Sequence, residues 1–101
     1  MFLYKIPGVE QEPDCELNHW KVARCKYKDG TVEDRLIGED KYGPRISSAI
    51  KHLENGKAST RSGRKYKLGK SNDFSRDSEE MWQVASFSFE SIEDVTNEYV
   101  T

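Results

Sequence analysis

Residues 17–27 read Leu-Asn-His-Trp-Lys-Val-Ala-Arg-Cys-Lys-Tyr, an aromatic and β-favouring run whose apolar positions almost alternate. Trp20 and Val22 share one face of a strand, whereas Ala23, Cys25 and Tyr27 share the other, so the alternation slips once. A bulge or a strand buried on both faces accounts for such a slip. Asp29-Gly30 follows, a dipeptide suited to the positive φ angles of a two-residue hairpin turn, and a second strand is expected near residues 31–37. The polar run 8–18, broken by Pro13, reads as a loop after a short apolar segment at 2–6, and residues 38–44 read as another loop.

Residues 46–53 carry two signals. Ile46, Ala49, Ile50 and Leu53 have the spacing of a helix face, and Pro44 suits a first turn. Asn55-Gly56 is a hairpin signal, however, and residues 57–61 and 64–68 flank Ser62-Gly63 as two short strands would. Strands are the favoured reading, and a helix is the alternative. Asp77-Ser78-Glu79-Glu80 then supplies a capping side chain and carboxylates suited to the positive end of a helix. Met81, Trp82, Val84, Ala85 and Phe89 give that helix an apolar side, although Phe87 and Phe89 alternating with Ser86 and Ser88 allow a late switch to strand. Residues 91–101 read as an edge strand.

Several short strands, tight turns and one helix describe an α+β, mostly β chain. The expectation is a small, strongly bent antiparallel sheet or a partly open SH3-like or OB-like barrel with one C-terminal helix. A chain of 101 residues makes one small domain, residues 1–101, with a single modest core. No run approaches the ~20 apolar residues of a membrane span, and the start lacks the charged lead of a secretion signal, so a cytoplasmic protein without membrane contact is expected. Two cysteines are too few for a disulfide framework and read as reduced, structural side chains.

Net charge changes the picture more than composition does. The chain carries a formal charge of −2, yet residues 57–70 hold Lys57, Arg61, Arg64, Lys65, Lys67 and Lys70 with no acid. Residues 71–101 hold eight acids against Arg76 alone. If 57–61 and 64–68 pair across Ser62-Gly63, some of these cations share an exposed ribbon. Lys57, Arg61, Arg64, Lys65, Tyr66 and Lys67 are therefore the candidate binding residues. Tyr66 either points to the core or faces outward, where it could stack on a base. Lysines on such an edge also discourage sheet-to-sheet aggregation, and the ribbon could neutralise the acidic tract within one molecule or across a dimer.

Candidate chemistry is sparse. Cys15, His19, Cys25 and His52 would complete a Cys2His2 set, but their spacing matches no familiar zinc site, and packing roles are the simpler reading. The carboxylate pairs Glu33-Asp34, Glu39-Asp40, Glu79-Glu80 and Glu93-Asp94 are each adjacent in sequence, where side chains diverge. Neither a Walker pattern nor a dinucleotide glycine pattern occurs. Arg61-Ser62-Gly63-Arg64 could form an anion site at a hairpin tip, or Gly63 could simply make the turn. No catalytic residue, metal or cofactor is assigned.

The runs Arg45-Ile46-Ser47-Ser48-Ala49-Ile50, Thr60-Arg61-Ser62-Gly63-Arg64 with Tyr66 and Leu68, and Asp77-Ser78-Glu79-Glu80-Met81-Trp82 resemble a pattern recurring in short bacterial proteins of phage, plasmid and other mobile-element genes. The resemblance covers residues 43–84 and implies a bacterial accessory protein with no activity attached. In that pattern the tract after the leucine is richer in Gly and Pro than residues 70–75 here, so that loop conformation does not transfer. Together these readings point to a non-enzymatic interaction module that binds a protein partner or self-associates. A nucleic-acid-binding barrel using residues 57–70 is the alternative.

Overall fold

A computed structural model describes residues 15–69 and 75–99. Five strands form a meander: β1 (Cys15–Lys26), β2 (Val32–Asp40), β3 (Gly43–Glu54), β4 (Lys57–Thr60) and β5 (Lys65–Leu68). Helix α1 (Arg76–Ser88), β6 (Ser91–Asp94) and a 3-10 turn (Thr96–Glu98) follow. The fold is the expected mostly-β α+β class, a strongly bent sheet that closes partly on itself. Each meander strand is antiparallel to the next, so β1 and β5 must run in the same direction. The closing pair is accordingly parallel, with Cys15, Glu16 and Leu17 beside Tyr66, Lys67 and Leu68, and the sheet is mixed.

The slip in the β1 pattern has a physical origin. Between Asn18 and Lys21 the register to β2 shifts, and His19 takes a left-handed backbone at φ 50°. This bulge places Leu17 on the same face as Trp20 and Val22, three and five residues on, although a regular strand would oppose them. Gly38 makes the bulge sterically admissible: a Cβ there would lie 2.8 Å from the Asn18 carbonyl oxygen and 3.0 Å from Trp20 Cβ. Beyond the bulge β1 is buried on both faces. Leu17, Trp20, Val22, Leu36, Ala58, Tyr66 and Val95 fill the inside of the curved sheet. Ala23, Cys25 and Ile37 face outward and are covered by Met81, Trp82 and Ala85 of α1 together with Phe89 and Ile92. Each fully buried side chain such as Leu17, Leu36 or Ile37 contributes about 1.5–3 kcal/mol of transfer free energy.

Local signals locate most elements. Asn55 (φ 54°) and Gly56 (φ 75°) both occupy the left-handed region that a two-residue hairpin requires. Helix α1 is capped two residues earlier than Asp77 suggests: the Ser75 side chain accepts from the Ser78 backbone N–H at 3.1 Å. Val84 is 58% exposed and does not belong to the buried side of the helix. The switch to extended backbone occurs at Phe89, after which the Glu90 N–H donates to the Lys26 carbonyl at 2.7 Å.

Other expectations need correction. Residues 38–44 are not a loop, because β2 continues to Asp40 and β3 begins at Gly43. The Asp40 carboxylate closes this short turn by accepting from the Tyr42 N–H at 2.8 Å and from Arg45 Nε at 2.6 Å. Residues 15–18 are strand, since β5 supplies hydrogen-bond partners that no local pattern reveals. The strand expected over 91–101 stops at Asp94, where Val95 turns into the core. The apolar segment at 2–6, the start of the 8–18 loop and Lys70 lie outside the described residues. Among the described residues no helix is long and apolar enough to cross a membrane.

Candidate binding surfaces

The register of β4 and β5 sorts the cationic stretch. Ala58 lies opposite Tyr66, and both turn inward, so Lys57, Ser59, Lys65 and Lys67 turn outward. Lys57 stands directly across from Lys67, and Lys65 lies two residues along the same face. None of the three makes an ion pair with a described residue. Glu54 is in register with Lys57, but its Oε1 is held at 2.7 Å by His52 Nε2. The three lysines, His52, Glu54 and Asn55 line a shallow open depression.

The other candidate residues lie elsewhere. Tyr66 is only 4% exposed and its ring fills the core, so it offers no stacking platform; the ladder parity that exposes Lys65 and Lys67 forces it inward. Arg61 reaches Glu33, with Nη2 3.2 Å from Oε1, and joins a network in which the Tyr27 hydroxyl donates to Glu33 at 2.8 Å and Arg35 binds both. Burial would raise the Glu33 carboxyl, but Tyr27 and the two arginines outweigh it and hold the group below the ordinary carboxylate range. Arg64 lines a separate groove.

The hairpin tip itself is spent on its own turn. Gly63 N–H donates to the Thr60 carbonyl at 2.9 Å, Ser62 N–H to Ser48 Oγ at 3.1 Å, and Arg61 N–H to the Ala49 carbonyl at 2.8 Å. These backbone donors are unavailable to an anion, so Gly63 at φ 96° serves the turn.

The groove that receives Arg64 has a volume of about 760 Å³ and lies between the start of β1 and the β2–β3 hairpin. Pattern reading missed it, because its walls come from strands far apart in sequence. Its floor is the Asp40 carboxylate, whose side chain is 5% exposed and is bound by Arg45 and by the Cys15 thiol at 3.5 Å. Its rim carries His19, with Nε2 3.8 Å from Glu39 Oε1, and the exposed ring of Tyr42 under Lys41. Within the groove, Arg45 pairs with Asp40 and His19 lies beside Glu39.

The arrangement is poorly suited to thiol chemistry. Burial, and then the adjacent Asp40 carboxylate, push the Cys15 thiol above its ordinary value, and burial pushes Cys25 up to about 11. A nucleophilic cysteine needs the opposite shift. Cys15, His19, Cys25 and His52 are not gathered either: Cys25 is sealed beneath α1, whereas His52 is exposed on β3. Among the described residues no group of three or more His, Cys, Asp or Glu side chains is placed to hold a metal ion. Comparison with protein-family models, curated proteins and solved structures finds no match to this chain.

Proposed function

We propose that this chain is a non-catalytic interaction module that docks an acidic protein segment across the outward face of β4 and β5. One observation carries the reading: Lys57 and Lys67 face each other across the ladder, with Lys65 beside them and no ion-pair partner among the described residues. Like charges directly opposite destabilise a sheet. An anionic partner relieves that repulsion on binding. The resemblance to short mobile-element proteins is consistent with an accessory factor of bacterial origin.

Fluorescence anisotropy with labelled polyglutamate at low salt tests the proposal. Binding that K57E/K65E/K67E abolishes supports it, and equal affinity of the two proteins overturns it. Nucleic acid is the second reading, since phosphates would meet the same lysines. Three phosphate contacts would give a slope of log affinity against log salt of about −2 to −3. Tyr66 lines the lysine face but is only 4% exposed, so its ring is closed to base stacking, and the exposed His52 ring beside it is held by Glu54. Preference for a single-stranded oligonucleotide over polyglutamate would favour that reading.

A further inference from the structure

The lysine face is one part of a larger division of charge. Residues 43–69, which form β3 to β5, carry seven Lys or Arg and one acid. Residues 75–99, which form α1, β6 and the 3-10 turn, carry seven acids and one Arg. Among the described residues no ion pair joins these two halves. The C-terminal acids that do pair use β1 instead: Asp94 lies 3.6 Å from Lys21, and Glu98 lies 2.9 Å from Arg24. Glu90 and Glu93 are exposed and make no ion pair with a described residue.

These acids sit at an edge. β6 is bonded to β1 along one side, and among the described residues its other side carries no strand. An open edge invites pairing with its own copy, but Glu90, Glu93 and Asp94 crowd negative charge along it, so two such edges repel one another. The edge is therefore guarded against itself and open to a cationic surface.

We infer that the occupant of the lysine face is the acidic β6 edge of a second copy of this chain. The inference rests on the reading that Lys57, Lys65 and Lys67 bind acidic protein. Different patches meet in such a contact, so it is head-to-tail and extends beyond two copies unless the rotation closes. Exposed ion pairs are individually weak and are screened by salt, so the association is shallow and reversible.

Reciprocal charge reversal tests it by sedimentation velocity at high micromolar concentration. The wild type should gain mass with concentration at about 0.01 M salt, where screening extends about 30 Å, and revert to monomer at about 0.15 M, where it extends about 8 Å. K57E/K65E/K67E alone and E90K/E93K alone should each stay monomeric, and their mixture should associate, because each supplies the surface that the other lacks. Both variants alter exposed residues and leave Asp94 and Glu98 on their β1 partners; circular dichroism confirms folding, and K57Q/K65Q/K67Q replaces the triple reversal if that protein fails to fold.

A monomeric wild type at low salt, or a mixture that stays monomeric, overturns self-association. If wild type then still binds polyglutamate through the lysines, the proposed function stands without it. Loss of polyglutamate binding as well removes both.

Discussion

The Ser78 hydroxyl donates to the backbone carbonyl of His19 across 2.9 Å, joining the first turn of α1 to the bulge of β1. Ser78 is 0% exposed, and its backbone N–H is taken by the Ser75 cap. One buried serine thus couples two features that hold the helix on the sheet. Ser78→Ala strands the His19 carbonyl and should cost about 1–3 kcal/mol in urea unfolding. Ser75→Ala removes the cap and should cost about 1 kcal/mol. Two variants within error of wild type would show that α1 is held by apolar packing alone.

Gly38 should tolerate no side chain. Its missing Cβ is the space that the Asn18 carbonyl and Trp20 occupy at the bulge. Gly38→Ala is expected to destabilise by about 1–3 kcal/mol through overpacking. Thermal unfolding checks this, and an unchanged midpoint would mean that the β1–β2 register yields freely.

Acid and alkali should act on the C-terminal turn through one pair of residues. Asp34 receives Arg24 Nε at 2.9 Å, Arg24 Nη2 at 3.1 Å and the phenol of Tyr99. Burial would raise the Asp34 carboxyl, but these donors outweigh it and hold it below the ordinary range. Burial, followed by the bond to Asp34, pushes the Tyr99 phenol up to about 12. The depressed carboxyl stabilises the fold above its unfolded value and loses that contribution as pH falls through the folded one. The raised phenol stabilises below its ordinary 10.0, and its contribution disappears as pH rises through about 12. Unfolding midpoints against pH should therefore fall at both ends, with Asp34→Asn flattening the acid limb and Tyr99→Phe the alkaline one. Limbs identical to wild type would remove the pair from this role.

Stability and binding should separate at the lysine face. Lys67→Glu places a carboxylate opposite Lys57 and should gain about 0.2–1 kcal/mol of stability. The same change should weaken polyglutamate binding. A variant that loses both stability and affinity would point to a packing role for the Lys67 stem.

The two thiols should differ in access. Cys25 is fully buried beneath α1, while Cys15 is partly exposed at the groove. In the native state a thiol reagent should titrate Cys15 and reach Cys25 only on unfolding. Two thiols reacting at one rate would show that α1 opens readily from the sheet.

How far this molecule is legible in advance depends on the range of each interaction. Asn55-Gly56, Asp29-Gly30 and Ser62-Gly63 announce their turns because positive φ is a property of one or two residues, and they carry the strand reading of 46–53 over its helical spacing. The expected two-residue turn at Asp29-Gly30 is instead a three-residue loop, 28–30, closed by the Tyr27 N–H on the Thr31 carbonyl with Gly30 alone at positive φ. The exposed positions of Lys57, Lys65 and Lys67 follow from the same hairpin, so half of the candidate surface is readable. The groove at Asp40 is not, because Cys15, Arg45 and Arg64 meet there only through pairing between distant strands.

The sequence by itself determined the mostly-β character, the hairpin turns, the helix and the segregation of charge, since each depends on neighbours along the chain. Tertiary structure alone decided the parallel closure, the bulge that turns Leu17 and Trp20 to one face, the burial of Tyr66 and the division of the cations between surfaces. Those outcomes depend on register, and a one-residue change of register exchanges the faces of a strand without altering its composition.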